Sequence, residues 1–247
     1  MAMNLHIIGS GSSGNCYVLE ADGEALLIEA GERYADVKKA LRWNVGKLVG
    51  CIVSHRHGDH AKYVSELLSS GVKVLATADV FEAWNVTGNP FGKVIASGHG
   101  YRLGGFKVLA LEAKHDVPCL SFVVSHPEMG KLLFVTDSVS FNYRIDGLNT
   151  VMIEANYADD ILDRNIAKGT LPVSMRSRLL TSHMELSQTI RTLTGLNLDE
   201  VDRVILLHLS DGNSDEARFV REVEEATGVM TYAADGGMKL DISVEPF

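Results

Sequence analysis

The stretch Ser54-His55-Arg56-His57-Gly58-Asp59-His60 constrains the fold of this chain more than any other. His55, His57, Asp59 and His60 fall within six positions, between a run at 50–53 that reads as a buried strand and one at 61–68 that reads as a helix. A strand would send alternate side chains to opposite faces, whereas a turn lets them converge. Neutral imidazoles with a carboxylate suit zinc and similar cations. A turn also lets His55 and His57 face one ion while Asp59 and His60 face another about 3.5–4 Å away, the spacing of two-metal hydrolases. The rest of the chain must then bring further ligands to the same rim.

Short strand-like runs at 5–8, 16–19 and 25–28, split by Gly- and Asp-rich turns, predict an opening meander. Helical spacing at 34–41, the strand and helix around the histidine cluster, a strand at 72–76 and a helix from Thr77 predict alternating β and α elements. Runs at 106–111, 120–125 and 132–135 predict a second meander, followed by strands at 151–153 and 204–207. Ser214 is the expected N-cap of a helix reaching Thr227 before Gly228, and 229–232 and 238–242 flank Asp235-Gly236-Gly237 as an expected hairpin. This order suits a single domain over 1–247 with an α/β (α+β) architecture, an αββα sandwich of two mixed β-sheets flanked by helices. With 247 residues, 46% of them hydrophobic, the chain can fill such a core.

The formal net charge of −9 makes the average surface repel phosphate backbones and excludes a protein that coats nucleic acid broadly. No run approaches the roughly 18 apolar residues of a membrane span, and nothing at Met1 to Gly9 resembles an export signal, so a soluble cytoplasmic protein without membrane partners is expected. Cys16, Cys51 and Cys119 lie far apart in apolar runs, as reduced core thiols do. Against the acidic average, the stretch from Arg164 to Met184 carries Arg164, Lys168, Arg176 and Arg178 and no acid.

The cluster from His55 to His60 resembles the signature of the metallo-β-lactamase fold superfamily, and the resemblance implies where the remaining ligands stand. It places a third histidine after the strand at 106–111, where Ala113-Lys114-His115-Asp116 offers His115. It places a bridging aspartate after 132–135, matched by Thr136-Asp137-Ser138, and a last histidine after 204–207, matched by His208. The implied set is His55, His57 and His115 on one metal, Asp59, His60 and His208 on the other, and Asp137 on both. In Leu27-Ile28-Glu29-Ala30-Gly31 the chain has Glu29 where the family usually has Asp, a departure behind the ligands. His6, His99 and His126 lack comparable context and are expected on the surface or in packing roles.

The same scaffold hosts many chemistries, so further motifs must decide. Only 39 residues follow His208, too few for the helical domain of glyoxalase II-like enzymes, and 71 positions separate Asp137 from His208, too few for a β-CASP insertion. Residues 151–157, with Glu154, and Ser182-His183-Met184-Glu185-Leu186-Ser187 resemble motifs of RNase Z-type phosphodiesterases. The second motif, and the opening Gly9-Ser10-Gly11-Ser12-Ser13-Gly14-Asn15, also resemble the YycJ/WalJ-type exonuclease branch. His183, held by Glu154, is the candidate general acid, a role that contributes roughly 10²–10⁴-fold. Ser13 and Asn15 are candidate anion contacts, and Arg176 and Arg178 are candidate phosphate clamps.

The resemblance implies hydrolysis of phosphodiesters by a metal-bridging hydroxide oriented by Asp59, with two divalent ions, Zn²⁺ foremost and Mn²⁺ as the alternative. DNA, at an end or as a single strand, is the expected substrate. A cyclic nucleotide or other small cyclic phosphodiester is the first alternative, and a lactone or thioester is the second. The oligomeric state, a homodimer included, stays open.

Overall fold

The computed structural model describes residues 2–244. The antiparallel meander β1 (Asn4–Gly9), β2 (Cys16–Glu20) and β3 (Ala25–Ile28) leads into α1 (Tyr34–Ala40) and β4 (Leu48–Ile52). Then come α2 (Gly58–Ala61), α3 (Val64–Ser69), β5 (Val74–Ala76), α4 (Ala78–Ala83) and β6 (Gly92–Val94), with β3 to β6 parallel. A second sheet starts with antiparallel β7 (Gly100–Leu103), β8 (Phe106–Ala113), β9 (Cys119–His126) and β10 (Gly130–Val135). It continues in parallel through β11 (Thr150–Glu154), β12 (Arg203–Leu207) and β13 (Met230–Ala233). Helices α5 (Asp159–Ala167), α6 (Val173–Ser182) and α7 (Leu186–Thr194) join β11 to β12, α8 (Glu216–Thr227) joins β12 to β13, and β14 (Lys239–Asp241) pairs with β1.

Two mixed seven-stranded sheets result, and alternation along their strands builds three apolar layers. Leu132 and Phe134 of β10, with Ile205 and Leu207 of β12, face Tyr17, Leu19 and Ile28 between the sheets. Their neighbours Leu133, Val135, Val204 and Leu206 face outward against Leu193 of α7 and Phe219 and Val223 of α8. On the other side Val18, Leu27, Cys51 and Val53 pack under Val37, Leu67 and Val80 of the helices that cover the first sheet. This is the expected αββα sandwich. Cys16, Cys51 and Cys119 are free and buried, and no helix among the described residues is long and apolar enough to cross a membrane.

Several local expectations require correction. The segments flanking Asp235-Gly236-Gly237 are not a hairpin, because β13 pairs with β12 while β14 pairs with β1 in the other sheet. Ala234 N–H still donates to Leu206 O (2.9 Å), and Gly237 N–H already donates to Ile7 O (2.8 Å), so the turn carries the chain from one sheet to the other. The helix expected at 61–68 is two helices, broken where Tyr63 N–H turns to Ala30 O (2.9 Å). Asp215, not Ser214, caps α8, its side chain accepting from Arg218 N–H at 3.0 Å. The short edge strands β6 and β7 and the helices α5 to α7 add to the sequence reading.

Glu20, at the end of β2, ties the outer turns of the first sheet. Its carboxylate, 3% exposed, accepts from His6 Nε2 (2.9 Å), Arg42 (3.0 Å) and Lys47 (3.2 Å). Burial alone would raise its pKa, but these donors hold it below the ordinary value. A depressed carboxylate contributes stability above its unfolded-state pKa and loses it as pH falls through the folded-state value. Glu20→Gln should therefore cost about 2 kcal/mol at neutral pH, and the gap to wild type should close in acid. Urea unfolding at neutral and acid pH checks this; a gap independent of pH would contradict it.

Candidate metal centre

The ligand-type residues stand just beyond the carboxyl ends of strands. His55 lies three residues past β4, His115 and Asp137 two past β8 and β10, and His208 one past β12, while Glu154 is the last residue of β11. Register brings them level, since Val135 pairs with Ile153 and Glu154 with Leu207. Open α/β sheets bind ligands at this rim. Glu29 (φ 67°), Asp137 (φ 45°) and His208 (φ 53°) all adopt left-handed backbone there, a conformation costing of order 1–3 kcal/mol each that persists only where surrounding contacts enforce it. At His208 those contacts are Asn156 Nδ2 donating to its carbonyl (2.7 Å) and its own N–H donating to Ser10 Oγ (3.1 Å).

Two sets of ligand atoms converge, each with all members within 4.8 Å: His55, His57, His115 and Asp137, and Asp59, His60, Asp137 and His208. Asp137, 2% exposed, belongs to both. Its carboxylate is 2.8 Å from His208 Nδ1, 3.3 Å from His60 Nε2, 3.7 Å from His55 Nε2 and 3.9 Å from His115 Nε2. The site fits divalent cations by a direct test. The buried His55 Nε2 and His208 Nε2 have no hydrogen-bond partner, although buried polar atoms are otherwise nearly always satisfied.

Contacts behind the ligands fix the rings, as in metal centres generally. Ser54 Oγ lies 2.9 Å from His55 Nδ1, and His115 Nδ1 donates to Ser182 O at 2.9 Å. Glu29, the departure from the usual aspartate, accepts from Ser54 N–H (3.2 Å) and reaches His60 Nδ1 at 3.4 Å. Gly31 is required beside it, because a Cβ there would collide with the Asp59 carbonyl.

Burial would raise the Asp137 carboxyl, but His208 and His60 hold it well below the carboxylate range. Burial lowers the imidazoles of His55 and His115, whereas Asp137 and Glu29 outweigh burial at His60 and push it well above the ordinary value. His183 Nδ1 lies 2.6 Å from Glu154 Oε1; burial would lower this imidazole, and the Glu154 charge and hydrogen bond raise it to about 9.

Every sequence-derived metal-ligand candidate lies in this cluster, and Glu154 and His183 border it, forming a third convergent group with Asp137 and His208. A cleft of about 280 Å³ opens onto it, lined by Ser12, Asp59, Arg178, His183 and His208 among others. Other candidates lie elsewhere. Ser13 is exposed beside Ser12, and Asn15 is buried behind the ligands, its Nδ2 3.1 Å from His60 Nε2 and 3.4 Å from Asp59 Oδ2. Arg176 pairs with Asp163 and lies 3.9 Å from Asp159. Asn156 and Ser182 lie within the quoted motifs, but their roles escaped the sequence reading because one grips a backbone carbonyl and the other accepts through its own, contacts that leave no residue-type signal. Asp116 lies 3.1 Å from His115 Nε2 and 3.6 Å from His57 Nε2; its adjacency to His115 was the available clue.

Asp137→Ala should lower divalent metal retained after dialysis to less than half of wild type, read by elemental mass spectrometry, while His6→Ala should retain the wild-type amount. Equal retention in both variants would contradict the shared role of Asp137.

Comparison with known proteins agrees with this geometry. Residues 26–209 match the family model described as the beta-lactamase superfamily domain. The chain is 26% identical to the exodeoxyribonuclease YycJ of Bacillus anthracis, covering 92% of this chain and 91% of the relative. Among solved structures, the metallo-beta-lactamase fold protein YhfI from Bacillus subtilis superposes with a TM-score of 0.72 at 17% identity, covering 97% of this chain and 100% of that one. The short form of human tRNase Z superposes with a TM-score of 0.65 at 16% identity, covering 98% and 100%. The chain belongs to the beta-lactamase superfamily domain family and is a hydrolase of the metallo-β-lactamase fold.

Proposed function

We propose that the protein is a cytoplasmic exodeoxyribonuclease that hydrolyses phosphodiester bonds of DNA at an end or in a single strand. Two divalent cations, zinc foremost and manganese as the alternative, would be held by His55, His57 and His115 and by Asp59, His60 and His208, with Asp137 shared. Such cations bring the pKa of water down to about 7 and neutralise charge on phosphoryl oxygens. Asp59 orients the attacking oxygen from its place in the cleft wall. Arg178, on the same wall, offers paired N–H donors to a phosphate oxygen. His183 protonates the departing oxygen through Nε2, because Nδ1 is engaged by Glu154.

That 2.6 Å pair at the edge of the ligand cluster is the observation that carries the reading. The alkoxide that leaves a DNA phosphodiester needs a proton, whereas the thiolate that leaves a thioester departs without one; a lactone also leaves an alkoxide, and Arg178 at the cleft favours a phosphate over it. Similarity to YycJ supports DNA as the substrate. The cleft of about 280 Å³, taken alone, also suits a small cyclic phosphodiester; a substrate contacting several phosphates loses binding steeply with salt, and a cyclic one does not.

The metal-reconstituted protein should cleave labelled DNA in preference to RNA, cyclic nucleotides and a lactone, and turnover of the lactone alone would overturn the proposal. His183→Ala should lower kcat on DNA by about 10²–10⁴-fold. It should have far less effect on bis(p-nitrophenyl) phosphate, whose leaving group departs without a proton. Equal losses on both substrates would remove His183 from the role of acid.

A further inference from the structure

A second and larger cavity, about 1060 Å³, adjoins the cleft and shares His115 and Asp116 with it. The cleft falls just below the roughly 300–1,000 Å³ of pockets that enclose drug-sized molecules, so a substrate longer than a small cyclic phosphodiester must extend beyond it. The adjoining groove shares a wall with the cleft at His115 and Asp116.

One wall of that groove comes from the loop after Asp137. Tyr143 is 37% exposed there, and Phe141, 6% exposed and part of the core, backs it with ring centroids 5.3 Å apart. The wall is anchored to the metal centre: Val139 N–H donates to Lys114 O (3.0 Å), and Lys114 N–H donates to Ser138 Oγ (3.1 Å). These bonds hold the start of the loop, Ser138 and Val139, against the residue before His115. Lys114 lines the same groove, and among the described residues no carboxylate lies within ion-pair distance of its ammonium, although Glu112 and Asp116 also border the cavity. An exposed ring and a cation free of ion pairs among the described residues, lining one groove beside the metal cluster, offer a single strand one surface for a phosphate and one for an unstacked base, whose π-face is free. A duplex keeps its bases stacked and offers Tyr143 no such face.

We propose that this groove binds the single-stranded DNA segment next to the scissile phosphodiester, with a base stacked on Tyr143 and a phosphate at Lys114. The inference rests on the phosphodiesterase reading of the metal centre. The test is a ladder of single-stranded oligodeoxynucleotides, from a dinucleotide to an octanucleotide, given to the metal-reconstituted protein. Binding of a strand carrying 2-aminopurine is followed separately by fluorescence. Lengthening the strand should raise wild-type kcat/KM about tenfold or more, and Tyr143→Ala and Lys114→Ala should each remove most of that gain, whereas Tyr143→Phe should keep it. Binding should quench 2-aminopurine in wild type and not in Tyr143→Ala. A length gain that survives in Tyr143→Ala and Lys114→Ala, or an equal gain with blunt duplexes, would overturn the groove. If wild type cleaves no phosphodiester of any length, the proposed function fails, and the quenching alone then decides the groove.

Discussion

The structure turns on one buried carboxylate. Asp137 sits two residues past β10 with 2% of its surface exposed and four imidazoles within 4 Å of its oxygens. A buried carboxylate is costly unless it is paired or binds a metal. Here the histidines belong to both sheets: His55 and His60 follow β4, whereas His115 and His208 follow β8 and β12. The carboxylate therefore draws together the rims of two sheets whose interface is otherwise mainly apolar, with a few polar ties such as His208 N–H to Ser10 Oγ and His126 to Glu24, and the cluster exists only when the sandwich has closed.

The fold maintains this arrangement against local strain. Left-handed backbone at Glu29, Asp137 and His208 aims the ligand loops inward, and hydrogen bonds hold them there: Ser54 N–H to Glu29, Ser138 N–H to Glu154, and the two bonds at His208. The bond from His115 Nδ1 to the carbonyl of Ser182 also links a ligand to the end of α6, the helix that carries Arg178 and leads into His183. Groups proposed to handle the phosphate and the leaving oxygen are thereby positioned by the same contacts that orient the metal ligands. The acidic net charge does not oppose a phosphate substrate, because two divalent ions would add local positive charge at a cleft whose rim already carries Arg178.

The ligand turn could be read in the sequence because its four side chains crowd into six positions, and the opening meander because its short apolar runs are split by Gly- and Asp-rich turns. Glu154 and His183 were legible as motifs, but their 2.6 Å contact joins β11 to the end of α6 and belongs to tertiary structure. Helices α5 to α7 escaped for physical reasons. The buried stripe of α7 alternates Leu186 and Leu193 with Thr189 and Thr192, and α6 buries only Leu179 and Ser182 while exposing Val173 and Leu180. Arg176 and Arg178 look like a pair in sequence, yet residues two apart on a helix do not share a face, and only Arg178 reaches the cleft. The Asp235-Gly236-Gly237 turn is locally the same whether the chain folds back on its own strand or crosses between sheets, so only the pairing partners distinguish the two.

Anomalous scattering from crystals of the zinc-loaded protein tests the central claim most directly. Two peaks about 3.5–4 Å apart are expected, one among His55, His57 and His115 and the other among Asp59, His60 and His208, with Asp137 touching both. A single peak without Asp137 contact, or zinc bound elsewhere with this cluster left out, would contradict it.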